Sequence, residues 1–185
     1  MKRQGVLSLT GVGLLGLIVL MTLHEWDYSS ATNTAQRQDL PTLVLEKMSA
    51  IRHNADGSPQ YRIKAQGLTW FEVTDRSELE NPDVEMFGNK ARWLVTAEKG
   101  EMRQTEKQID LRGNVRAKRT GDDPLSIVTE HLVYHTSEQR LVIPTSVNIE
   151  HIGGRTKAGK LDADLKQGII KIRGGVETRY APTAG

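Results

Sequence analysis

The sequence predicts an all-β domain, a sandwich, barrel or jelly roll of repeated antiparallel hairpins, preceded by one N-terminal transmembrane helix. Two observations carry the β assignment. The first is a repeat: Ala97 to Val115, Thr129 to Val147 and Ala158 to Val176 each span nineteen residues and follow one template without insertion. In register, Leu132 and Leu161 fall opposite Gly100, Tyr134 and Ala163 opposite Met102, and Leu141 with Ile143 and Ile170 with Ile172 opposite Ile109 with Leu111. A looser copy, Ala65 to Val84, is one residue longer. Apolar positions two apart on both sides of a polar centre, Gln104 to Lys107 or Ser137 to Arg140, describe strand, turn, strand with one face buried. The second observation is punctuation. Turn formers recur at Asn54 to Gly57, Asn81 to Asp83, Gly88 to Lys90, Gly121 to Pro124, Gly153 to Gly154 and Lys166 to Gly168, and no helical apolar spacing lies between them.

Taken in chain order, residues 1–4 form a short basic N-terminus and 5–23 an uncharged apolar run. As a helix that run is about 28 Å long, enough for a bilayer core. Lys2 and Arg3 before it, and Glu25 and Asp27 after it, keep the N-terminus cytoplasmic and send everything beyond His24 across. A cleaved signal peptide with small residues Ser29 and Ala31 near its site competes with a retained anchor, although signal cores are usually shorter, about 7 to 15 residues. Residues 24–41 read as a polar periplasmic linker, 42–181 as the β domain and 182–185 as a tail. The first strand is expected over Leu43 to Ile51 and the last over Ile169 to Tyr180. In the third copy Pro144 stands where the other copies carry Arg112 and Arg173, which puts the strand pairing there in doubt.

Strand parity separates two faces. Trp93, Val95, Met102, Ile109, Leu111, Val115 and Ala117 share one side with Leu125, Ile127, Leu132, Tyr134, Leu141, Ile143, Val147 and Ile149; Lys99, Glu101, Asp110, Arg112, His131 and His135 share the other. The apolar side is either a filled core or, where a repetitive sheet leaves its ends unclosed, a groove for an acyl chain. Val84, Val115, Val147 and Val176, one from each copy, are expected to line up along it.

Composition excludes several classes. Apart from Lys2 and Arg3, the 25 basic residues equal the 23 acidic ones, so nothing in the exported part draws nucleic acid. There is no cysteine, hence no disulfide and no thiol nucleophile. Gly11, Gly13 and Gly16 satisfy a dinucleotide-binding pattern inside the membrane run, without the strand and βαβ unit it needs. Gly154, Gly159 and Lys160 satisfy most of a phosphate-loop pattern, but Leu161 occupies the place of the Ser or Thr that holds magnesium. His131 and His135 on one strand stand about 13 Å apart, too far for one ion. No metal or cofactor is expected, and acid-base work by the plentiful carboxylates, Asp122 with Asp123 at a turn and Glu78 with Glu80 on a solvated stretch, is left without support.

The order of elements carries a resemblance. An N-terminal anchor is followed by Tyr61-Arg62-Ile63-Lys64-Ala65, then Trp93-x-Val95-x-Ala97-Glu98-Lys99-Gly100, then Leu111-x-Gly113-x-Val115. This resembles the LptC family, the single-pass inner-membrane component of lipopolysaccharide export, over the anchor and nearly the whole domain. The resemblance implies a non-enzymatic open twisted β jelly roll in the periplasm, with no catalytic residue of its own. It would take lipopolysaccharide from the extractor formed by LptB, LptF and LptG at its N-terminal edge and anchor helix, and pass it to LptA at its C-terminal edge. The lipid-binding candidates are Ile63, Trp70, Val84, Met86, Val95, Met102, Leu111, Val115, Ile127, Tyr134, Ile143, Val147 and Ile172. The partner-edge candidates are Leu43, Leu45, Ile51, Ile170, Val176 and Tyr180. Two other readings stay open: a membrane-tethered adaptor that recruits partners by strand-edge pairing without carrying lipid, and an envelope enzyme acting on a glycan or lipid.

Overall fold

The computed structural model describes residues 40–180. The expected anchor, all of the linker but its last two residues, and the 182–185 tail lie outside the described residues. Among the described residues no helix is long and apolar enough to cross a membrane. The chain forms β1 (Leu43–His53), β2 (Pro59–Phe71), β3 (Arg76–Glu80), β4 (Asp83–Phe87), β5 (Arg92–Thr96), β6 (Lys99–Arg103), β7 (Gln108–Thr120), β8 (Leu125–His135), β9 (Arg140–Ile143), β10 (Val147–His151), β11 (Gly154–Ala158), β12 (Lys160–Asp164), β13 (Ile169–Arg173) and β14 (Glu177–Tyr180). Every pairing is antiparallel.

The pairings sort into two layers because the long strands change partners halfway. The first half of β2 pairs with β4, and its second half with β3. The first half of β7 pairs with β6, and its second half with β5. β8 likewise pairs with β10 through its first half and with β9 through its second. One layer therefore runs β4, β5, the end of β7, the start of β8, β10, β11 and β14. The other runs β3, β6, the start of β7, the end of β8, β9, β12 and β13. β1 lies along the whole of β2 as the N-terminal edge, from Leu43 opposite Trp70 to His53 opposite Pro59.

The chain crosses between layers at a line of corners, each with a sequence cause. Lys47 and Asn81 adopt positive φ, and so do Gly113 and Asn114 at the bulge that bends β7. Pro144, unable to continue a ladder, falls just past the end of β9. Backbone hydrogen bonds continue from corner to corner: Asn81 N–H donates to Glu98 O (2.9 Å), Glu98 N–H to Gly113 O (3.0 Å) and Gly159 N–H to Gly174 O (2.6 Å). The corners form a hydrogen-bonded spine along one side of the molecule. The tight turns lie on the opposite side, at the rim.

Each nineteen-residue copy is thus a hairpin of the second layer running from corner to corner: β6 with β7, β8 with β9, β12 with β13. Two expectations need correction. The last strand is not continuous from Ile169 to Tyr180, because Gly174 and Gly175, both at positive φ, break it into β13 and β14 on different layers. Val84 does not align with Val115 and Val147. It pairs with Ile63 and Val95, one row further from the corner, whereas Val115 and Val147 flank Thr129, an offset in keeping with the extra residue in the first copy.

Candidate functional site: the apolar interior and its two ends

The inward-facing positions of both layers make one continuous apolar cluster. Ile63, Val84, Met86, Val95, Leu111, Val115, Ile127, Tyr134, Ile143 and Val147 are all sealed from water within it. Trp70 and Met102 are half-buried against the cluster, and Ile172 is exposed. The middle of the interior is closely packed, as any core of this size would be.

The ends differ. On β1 every residue but Met48 is exposed, although Leu43 lies opposite Trp70 and Leu45 opposite Leu68, both on the inner face. Ile51 and Val44 belong to the other face of that strand, since they lie opposite Arg62 and Thr69. At the far end Ile170 is half-buried opposite Ala163, and Ile172, Val176 and Tyr180 reach solvent, the last two at 53% and 80% exposure. Both terminal edges therefore combine a free strand with uncovered apolar side chains, and an edge of that kind accepts another strand. Exposed Val44 and Ile169 reinforce the two edges and were not among the sequence-derived candidates. Both stand on the outer face, as Ile51 does.

Beside β1 the layers diverge into a cleft of about 620 Å³. Its floor is Met48, Ala50, Tyr61, Ile63, Met102 and Ile109. Tyr61 meets Tyr134 edge to face, ring centroids 6.1 Å apart at 87°, and this pair stands between the cleft and the interior. Burial pushes both phenols above the ordinary tyrosine value. Hydrogen bonds cross the rim nearby: Gln60 Nε2 donates to Thr136 O (2.8 Å) and Gln139 Nε2 to Asn54 Oδ1 (3.2 Å). Further along, Asn89 N–H donates to Leu165 O (3.3 Å) and Asn89 Nδ2 to Lys166 O (3.2 Å). These polar turn residues carry no periodic signal, and only their placement reveals them as cross-layer ties.

The outer face of the second layer holds paired charges. Asp110 Oδ2 lies 2.9 Å from His131 Nε2, and Arg112 Nε donates to Asp110 Oδ1 at 2.7 Å. Burial raises the Asp110 pKa, but the hydrogen bonds from Arg112 and His131 outweigh it, and the carboxyl is held below its ordinary value. Arg140 likewise grips Asp162. Among the described residues no three His, Cys, Asp or Glu side chains come together as a metal site.

The family described as "Lipopolysaccharide-assembly, LptC-related" matches residues 12–181. No curated protein sequence matches the chain. Among solved structures, the fold is similar to LptH, the LptA-homologous periplasmic component of the conserved lipopolysaccharide transport device from Pseudomonas aeruginosa. The TM-score is 0.54 at 11% identity, covering 66% of this chain and 95% of that one. At that identity the likeness establishes the fold alone.

Proposed function

The chain belongs to the LptC family, with a role in lipopolysaccharide transport, and from that premise we propose that it is a non-enzymatic section of an apolar conduit. In this reading it is held at the inner membrane by residues 5–23, with its β domain in the periplasm as a jelly roll open at both ends. It receives lipopolysaccharide at the β1 edge from the extractor of LptB, LptF and LptG, and passes it to LptA at the β13 and β14 edge. ATP is consumed by the extractor, so this chain needs no catalytic residue.

The observation that carries the reading is the contrast along the inner face: apolar side chains are sealed from water in the middle and uncovered at both terminal strands. A strand added at either end would extend the same inner face into a neighbouring protein. The mechanism is exchange of one apolar environment for another. Each acyl methylene leaving a bilayer needs about 0.8 kcal/mol of burial replaced, and an interior of Val, Ile, Leu, Met and Tyr replaces it without directional bonds. Side chains that part to admit a chain exchange contacts with one another for contacts with it. Position along the conduit then matters little to the energy, as movement requires. The sugars and phosphates stay outside in water.

A direct test places a photoreactive amino acid at inner-face Ile172 and, separately, at outer-face Lys171, in vesicles carrying the extractor, the full chain and LptA. Lipopolysaccharide adducts that depend on ATP are expected at Ile172 and not at Lys171. Normal transport with no adduct at Ile172 would favour the tethered adaptor, which holds the machine together without touching lipid.

A further inference from the structure

The cleft beside β1 has a composition at odds with the rest of the chain. Over the whole sequence acids nearly balance bases, 23 against 25. Among the described residues the cleft is lined by Arg52, His53, Arg103 and Lys107 and by no carboxylate. Arg103 is engaged by Glu101 and Glu106 (2.6 and 2.9 Å), but neither Arg52 nor Lys107 has an acidic partner among the described residues. The neighbouring outer-face cleft contrasts with it, since Glu78, Glu80, Glu101 and Asp110 share that lining with Lys99 and Arg112. An apolar floor under a margin where Arg52 and Lys107 stand without acidic partners suits one kind of guest: an acyl chain whose head carries phosphate.

The rim ties give the cleft a second property. Gln60 to Thr136 and Asn54 to Gln139 join the two layers on the side opposite the spine, next to the Tyr61–Tyr134 contact that closes the interior. Each runs through a side chain, Gln60 at the start of β2 donating to the Thr136 carbonyl and Gln139 donating to the Asn54 side chain. The spine instead is held by backbone bonds between strands that cross from layer to layer. A net hydrogen bond of this kind contributes about 1 kcal/mol, so beside β1, away from the backbone tie of Asn89 to Leu165, the layers part more readily than at the corners, where the chain itself crosses.

Building on the function proposed above, we infer that the N-terminal cleft is a first docking subsite for an acyl chain of a phosphorylated glycolipid, and that Gln60–Thr136 and Asn54–Gln139 form the latch between that subsite and the sealed interior. Arg52 and Lys107 hold the anionic head at the margin while the latch opens sideways. The tail then passes Tyr61 and Tyr134, and the head never crosses the apolar layer.

The absence of native cysteine makes the latch addressable. In full-length chain in membranes, a photoreactive amino acid at Met102 reports the cleft and one at Tyr134 reports the interior. Asn54→Cys with Gln139→Cys, joined by a thiol-cleavable bismaleimide, is expected to keep adducts at Met102 and to lose those at Tyr134 at least tenfold, with recovery when the linker is cut. Arg52→Gln with Lys107→Gln is expected to lower Met102 adducts at least fivefold with lipopolysaccharide, and to have no effect with the dephosphorylated lipid. Equal Tyr134 labelling of the joined and cut proteins would overturn the latch. Indifference of Met102 labelling to both the cations and the phosphates would overturn the subsite. If Tyr134 went unlabelled even in the unjoined chain, the interior conduit itself would fall, and the latch with it. Thermal unfolding of each variant separates these outcomes from loss of fold.

Discussion

Val115, Val147 and Val176 occupy one position of the repeat, as do Leu111, Ile143 and Ile172, yet the members of each set live in different surroundings. Val115 and Val147 have no exposure to water and Val176 is half exposed; Leu111 and Ile143 are sealed and Ile172 is 37% open. Nothing in the side chains accounts for this. In the middle, each hairpin is flanked by two neighbours and faced by the other layer, and at the C-terminal edge no further hairpin flanks β13 among the described residues. β1 repeats the situation at the other end, where Leu43 and Leu45 face inward and stay exposed. Apolar exposure in this molecule is a property of where the repeat stops, and a repeat that stops with its inner face uncovered can be continued by another chain.

The contrast can be broken most forcefully by truncating one side chain at each place. Leu111→Ala empties a sealed position and is expected to cost about 3 kcal/mol, lowering the melting temperature by on the order of 10 °C. Ile172→Ala, at the equivalent edge position, is expected to cost less than about 1 kcal/mol. Equal losses in thermal unfolding would mean that the edge is packed as tightly as the middle.

The edge itself is probed by Ile172→Pro. The hydrogen bond from Leu165 N–H to Gln139 O turns alternate N–H groups of β12, those of Leu161 and Ala163, toward β9. Asp162 therefore makes its ladder bonds with Lys171 opposite it, and the N–H of Ile172, one residue on, is turned to the free side. Removing that donor should abolish capture of LptA while the melting temperature stays within a few degrees. A variant that captures LptA normally would remove the C-terminal edge from the interface.

Gly154→Ala offers a sharper version. A Cβ there would lie 2.1 Å from Arg179 O, where β11 meets β14. The substitution should release β14 from the edge, seen as fast amide exchange over 177–180 with protection kept in β7 and β8. The smallest effect is expected on the outer face. Because the Asp110 carboxyl is held below its ordinary value, its ion pairs contribute fully above about pH 4, and the contribution is lost as pH falls through the depressed value. Asp110→Asn should cost about 1 kcal/mol at neutral pH, a difference from the parent that disappears in acid denaturation curves once the pH is below the depressed Asp110 value.

Much of the architecture was legible in the chain because one face of every strand is buried, and burial enforces period two. The three nineteen-residue copies, the turns at Asn54 to Gly57 and Lys166 to Gly168, and the inner set from Trp93 to Ile149 follow from that alone. The break at Gly174 and Gly175 was missed because an apolar pattern cannot tell a straight strand from one that turns a corner. The rim ties of Gln60, Asn89 and Gln139 were illegible for a different reason: they join residues 76 to 85 positions apart through side chains that any surface turn carries. Partnership at the cleft is equally non-local, since Arg52 and Lys107 converge only once the two layers are folded together.

The central claim is that the sealed middle is the path of the lipid, and Tyr134 with its neighbour His135 tests it most directly, because Tyr134 is buried and His135 lies on the opposite face of the same strand. A photoreactive amino acid at each position, in cells exporting lipopolysaccharide, is expected to give lipid adducts at Tyr134 and none at His135. Folded, membrane-bound protein that supports export yet yields no adduct at Tyr134 would contradict a conduit through the interior.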